Sequence, residues 1–296
     1  MALSVLRDLI LQAVISGTTV GCTYALVGLA IATVYNVTRI FDVSQGQYVM
    51  LGAMFVCFFY KFGLPVGSSI LLALIVPLII GLVIWRIILF GASQRYSAMT
   101  LIMITFGIAM LIEGSAFLVF GTSIRVNPYY LNIRPIRIYG ATMSPQAPLI
   151  YGVTVLIVIG LSLLFDRTRL GKALRACHEQ PLAARLMGIY PRNMMYFSFI
   201  LAVCLGVIGG ISIVPLTAVS YNMGIDWVIK GFLAAIVGGI SRFQGVIVGG
   251  LALGLLESLA AGLTSSGYAS IIALAVFIVL LLFRPTGLIG SQQIRT

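Results

Sequence analysis

Hydrophobic residues run along this chain in long blocks, not in the alternation of a half-buried strand or the stripe of a surface helix. The blocks Ile70–Leu89, Ser97–Phe120, Ala147–Phe165 and Ala269–Phe283 hold almost no charge. Several approach the roughly 20 apolar residues that a helix needs to cross a bilayer. The pattern predicts spans at about 11–35, 46–62, 66–90, 97–120, 147–165, 194–218, 228–240, 244–263 and 268–283. The stretch 228–240 is too short to cross, and is expected to be half of a broken helix or a re-entrant piece packed inside the protein. That leaves eight or nine full spans. Pro77 should kink the third, because it removes a backbone hydrogen bond. The expectation is an all-α, polytopic transmembrane bundle forming one domain over residues 1–296.

Composition agrees: 60% of the 296 residues are hydrophobic and 8% charged, against about a quarter charged in a soluble domain. A net charge of +11 would suit nucleic acid, but the basic residues sit between the apolar runs. There they report orientation and contact with anionic headgroups, so a lipid partner is expected and nucleic acid is not. Cys22, Cys57 and Cys204 lie in apolar runs as small hydrophobes. Cys177-His178 lacks the first Cys of a haem-attachment motif. No set of residues has metal-ligand spacing. The hydrophobic N-terminal stretch has no A-x-A-like cleavage site and reads as a retained first span.

Two connections are long. Residues 121–146 carry Pro128, Pro135 and Pro145 with Tyr129, Tyr130 and Tyr139. Residues 166–193 carry six basic residues against Asp166 and Glu179. If the second connection is cytoplasmic and 228–240 crosses, the N-terminus lies outside and the C-terminus inside. Twelve basic residues then face the cytoplasm, against six outside: Arg7, Lys61, Arg125, Arg134, Arg137 and Lys230. That bias follows the positive-inside rule.

Glycine recurs at helix-packing spacing, as in Gly17-x-x-x-Gly21 and Gly245-x-x-x-Gly249. Gly46, Gly238, Gly239, Gly249 and Gly250 are read as structural glycines. An echo between Gln45-Gly46 and Gln244-Gly245 is as well explained by chance as by duplication. Glu113 and Glu257 are costly inside apolar runs and should face the interior, a path or a partner. Glu257 reads as an interhelical contact; Glu113 is open between that and a pathway role. Thr18, Thr19, Thr23, Asn36 and Gln45 are further candidates for a translocation path, although hydroxyls also bond back to their own helix. Ser44 and Gln47 have the spacing of a capping box for the second span.

The 166–193 stretch contains two short helical signals. Leu170, Leu174 and Cys177 share one face of the first. The second starts with Pro181 at its first position, runs through Ala183, Ala184 and Met187, and ends at Gly188 as a left-handed terminator. Too polar and brief to span, it either lies on the membrane surface or presents a knob to a partner.

This stretch resembles the coupling loop of branched-chain amino acid type ABC importer permeases. The resemblance rests on Arg167-Thr168-Arg169-x-Gly171-x-Ala173-x-Arg175-Ala176 and Gln180-Pro181-x-x-Ala184-x-x-x-Gly188-Ile189. Further similar blocks are Tyr35–Ile40, Gly46–Ala53, Ala234–Gly239, Gly245–Glu257 and Leu282–Gly290. Gln45-Gly46-Gln47 departs from the His-Gly-acid often found in the family, and Gln180 from its usual Asn. The resemblance implies a transmembrane subunit that imports branched-chain or related amino acids, or a similar small polar solute. It makes Arg175, Pro181, Ala183, Ala184, Arg185, Met187 and Gly188 the region that couples to separate ATPase subunits. Those subunits would hold ATP and Mg, since this chain has no G-x-x-x-x-G-K-[ST] cradle. It also implies a second, non-identical permease in place of a homodimer, an extracytoplasmic solute-binding protein on outer loops including 121–146, and a bacterial inner-membrane location. The alternative is a stand-alone secondary transporter or channel, which would need Glu113 or Glu257 to couple an ion. An enzyme would need a nucleophile with a base or a metal set, and the single histidine lies in the loop.

Overall fold

Every apolar block becomes a helix in the computed structural model, which describes residues 2–95, 97–122, 130, 135–138, 141–264, 266–284 and 287. In chain order these are α1 (Ala2–Thr38), α2 (Gln45–Lys61), α3 (Val66–Ile84), α4 (Phe90–Arg95), α5 (Ala98–Phe120), α6 (Ala147–Arg167), α7 (Arg169–Glu179), α8 (Pro181–Leu186), α9 (Pro191–Ile213), α10 (Gly224–Gly238), α11 (Phe243–Leu263) and α12 (Ser266–Phe283). A hairpin of β1 (Ile136–Ile138) and β2 (Ala141–Met143) pairs Ile136 with Met143. Pro128, Tyr129 and Tyr139 of the 121–146 connection, and tail residues Pro285, Thr286 and Leu288–Gly290, lie outside the described residues.

Six helical stretches among the described residues are long and apolar enough to cross a membrane. The shorter α2, α10 and α12 make up the rest of the predicted set. Pro77 does not end α3. The irregularity comes later, where the π-helical turn Trp85–Leu89 joins α3 to α4.

The long α1 is the hub, packed against α9, α10 and α11. Small residues let it approach: a Cβ on Gly254 would stand 2.4 Å from the Gly17 carbonyl, and one on Gly250 would stand 2.5 Å from the Ala25 amide. Gly249 meets the Ala234 carbonyl of α10 in the same way, at 2.1 Å. Close backbone approach replaces the hydrophobic drive that lipid does not supply. By contrast α3, α5, α6 and α12 turn rows such as Leu71, Ile75, Ile79 and Val83 outward.

The two long connections sit at opposite ends of α1. The Gln12 side chain takes the Thr142 amide at 2.8 Å and donates to its carbonyl at 3.1 Å, so the hairpin is tied to the first turns of α1. At the other end His178 of α7 meets the Asn36 carbonyl, and Ser198 of α9 donates to Thr33 at 2.6 Å. The chain returns to this second end after α12, since a Cβ on Gly287 would stand 2.7 Å from the Ile236 carbonyl of α10.

Residues 214–223 are irregular, with Val214 and Val219 fully buried, and lead into α10 inside the protein. The first turn of α10 meets the first turn of α2, where a Cβ on Gly46 would stand 2.1 Å from the Gly224 carbonyl. Both helices therefore begin within the bundle, which answers the expectation of a broken or re-entrant element at 228–240. Non-helical backbone is tolerated within a membrane only when protein surrounds it or it lines a cavity.

Candidate functional site

The α7–α8 loop is a rigid corner with an apolar tip. Thr168 caps α7 by accepting from the Gly171 amide at 3.0 Å. Gly171 lies so close to α6 that a Cβ would stand 2.1 Å from the Leu164 carbonyl. Arg175 fastens the corner, donating to the Phe165 carbonyl and to Asp166 at 3.0 Å. His178 ties α7 to α1, and burial together with the nearby Arg39 guanidinium pulls its imidazole below the usual range. Gly171, Leu174 and Cys177 form the inward face. Leu170 shares the face of Leu174 and Cys177, as the spacing predicts, but stands at the start of α7 and is left exposed there.

Pro181 opens α8 and Gly188 closes it at φ 79°. Ala184 points inward, whereas Leu182, Leu186 and Met187 are more than three-quarters exposed, at 77%, 88% and 82%. Ala183 and Arg185 are exposed as well. The tip is thus Leu182-Leu186-Met187, with Ala184 as its seat. The i, i+4 spacing of the two leucines is the sequence signal that marks them. A cavity of about 530 Å3 runs beneath, lined by Arg39, Glu179, Gln180, Ala184 and Met187 among others.

Polar groups gather at a second place, the buried connection between α1 and α2. Ser44 does not cap α2: it has helical backbone angles and no side-chain cap bond. The capping box is therefore not formed. Asp42 is buried there and needs donors. It takes the Ser44 amide at 2.9 Å, the Ser44 hydroxyl at 2.6 Å and the Gln45 side-chain amide at 2.7 Å. Gln47 instead reaches Glu113 of α5 at 3.3 Å. The side-chain carbonyls of Gln45, Gln47 and Asn36 are buried without a partner. Asp42 went unnamed among the sequence candidates, although a carboxylate beside Ser44 and Gln45 is its signal.

The path-lining candidates separate. Thr18 and Thr19 both meet the Tyr151 hydroxyl of α6 at 2.8 Å, clasping α1 to α6, and Thr23 bonds back to Val20. Gln45 and Glu113 belong to the buried polar region just described, whereas Asn36 lines a cavity beside α6 and α7 with Leu161 and His178.

A third polar centre lies in the other half of the bundle. Lys230 of α10 donates to Glu257 of α11 at 2.6 Å and to the Tyr24 hydroxyl of α1 at 2.9 Å. Tyr24 donates to Glu257 at 2.5 Å, and Ser270 of α12 donates to the same carboxylate. Glu257 is thus an interhelical contact. Lys230 does not belong among the outer-loop cations, so six minus one leaves five basic residues in that set.

The model of the family described as branched-chain amino acid transport system / permease component matches residues 13–281. The high-affinity branched-chain amino acid transport permease BraD of Pseudomonas aeruginosa is 29% identical, over 96% of this chain and 97% of that protein. LivH of Escherichia coli, of the same description, is 25% identical over 96% of each chain. A solved metal-chelate type ABC transporter in an inward-facing conformation superposes with a TM-score of 0.51 over 92% of this chain and 85% of that one. At 14% identity this likeness bears on the fold alone.

Proposed function

This chain belongs to the branched-chain amino acid transport permease family, and from that premise we propose that it is the membrane-spanning subunit of an ATP-driven importer for branched-chain or closely related amino acids. The observation that carries the reading is the α7–α8 corner: an exposed apolar tip on a base locked to α1 and α6. Leu182, Leu186 and Met187 are the surface a separate ATPase subunit would grip. Force on them passes through Arg175 to α6 and through His178 to the hub helix. ATP and Mg belong to that partner, and closure of its subunits rocks the helices between outward- and inward-open states.

In this reading the α7–α8 end and the C-terminus face the cytoplasm of a bacterial cell. The hairpin end receives an extracytoplasmic solute-binding protein. A second, non-identical permease completes the path against the outward apolar faces. The secondary-transporter reading is weaker, because Glu257 is held by Lys230, Tyr24 and Ser270 and Glu113 accepts from Gln47. A carboxylate so held is a poor proton carrier.

Vesicles loaded with this chain alone, or with its co-expressed partner subunits, test the proposal. ATP-dependent leucine uptake is expected only with the partners. Uptake by the chain alone, unchanged by ATP depletion, would sink the importer reading.

A further inference from the structure

Between α1, α10, α11 and α12, toward the hairpin end, lies a cavity of about 450 Å3. Glu257 sits about 21 Å along α11 from its Phe243 end, at 1.5 Å per residue, and so faces the half from which a solute would arrive. We propose that this cavity is a transit site for a zwitterionic solute, with Lys230 taking the carboxylate and Asp226 the ammonium.

The donors and acceptors fit that charge pattern. An ammonium has three N–H donors. Lys230 gives one to Tyr24 and one to Glu257, and the third remains for a ligand carboxylate. Glu257 neutralises Lys230, so Asp226, exposed one turn earlier on α10 and lining the same cavity, is a surplus negative charge. Ser220 and Asn222 supply a polar lip, and Trp227, Ala261 and Ala269 an apolar wall for a side chain. The volume falls within the roughly 300–1,000 Å3 of small-molecule sites. Packing alone does not call for these charges, since a buried ion pair is often replaceable by apolar residues without loss. A lysine shared between Glu257 and a passing carboxylate binds weakly enough to release it, as a carrier requires.

The importer reading supplies the solute to try and the side from which it arrives. The test introduces Ala261→Cys into the complete complex in nanodiscs and follows its reaction with a small thiosulfonate reagent. The parent protein corrects for the native cysteines. Millimolar L-leucine should slow modification several-fold. Isocaproate, which lacks the ammonium, and isoamylamine, which lacks the carboxylate, should not. Asp226→Asn, at an exposed position, should abolish the protection and leave the fold intact. Lys230→Met should abolish it too. Equal protection by all three compounds, or full protection in Asp226→Asn, overturns the proposal. So does leucine import by the complex with no protection. Protection without import would sustain the site and sink the importer reading, so the two failures are separable.

Discussion

A lysine and a glutamate facing each other among apolar helices are each costly alone and tolerable together. Lys230 and Glu257 stand 2.6 Å apart with side chains 18% and 16% exposed. Removing either leaves an uncompensated charge, so Lys230→Ala or Glu257→Ala should each lower stability by about 3–5 kcal/mol. The double variant Lys230→Met/Glu257→Met should recover most of that loss in thermal unfolding of the detergent-solubilised protein. Strictly additive losses would mean the pair does not interact. Glycines divide by the same local reasoning. Gly249→Ala must push into the Ala234 carbonyl and should cost about 1–3 kcal/mol, as overpacking does. Gly107, with nothing within 4 Å, should accept Ala with no loss or a gain of about 0.5–1 kcal/mol. Comparable melting shifts for the two would contradict the packing described.

At the scale of elements, α7 and α8 divide the labour between anchor and tip. Leu186→Asp or Leu182→Asp should leave the membrane fold intact, because both side chains point away from it, and should abolish stimulation of the partner ATPase. Ala184→Leu should instead fail through packing, as its site is nearly closed. Full stimulation in Leu186→Asp would remove the tip from its proposed role. The anchor is sensitive to acid. Folding holds His178 neutral below its ordinary value of 6.5, so its contribution is complete above that pH. As pH falls below 6.5 the unfolded chain takes the proton first, and stability declines. Hydrogen-exchange protection in α7, referred to the intrinsic exchange rate at each pH, should therefore fall between about pH 7 and 5.5, through the ordinary histidine range. A His178→Asn variant should flatten the change.

For the molecule as a whole, α1 carries contacts to nearly every functional region: the hairpin through Gln12, the carboxylate of Glu257 through Tyr24, and α7 through Asn36. A displacement at one end of such a hub reaches the other without a separate relay. The outward apolar rows leave room for lipid and for a partner permease. If that partner is a different chain, native mass spectrometry of the co-expressed complex should find one copy of this protein. Two copies would establish a homodimer.

Much of this was legible in the order of residues, and the division has a physical cause. Apolar block length alone placed the helices, because a bilayer leaves the backbone no alternative to satisfying its own hydrogen bonds. Pro181 and Gly188 likewise fixed the ends of α8, since proline's ring presets a helical φ and glycine alone adopts a positive φ without strain. Helix rotation and helix partners are set by packing across the bundle, and no local pattern carries them. Hence Ala184 turned inward, and Ser44 served Asp42 in place of the α2 cap. Lys230 found Glu257 across 27 positions, a pairing that depends on the glycine seams of α1, α10 and α11. The sequence determined that this chain is a bundle of membrane helices with a polar loop of definite shape. Only the tertiary structure decided which side chains that loop offers, and which charges the bundle holds in its interior.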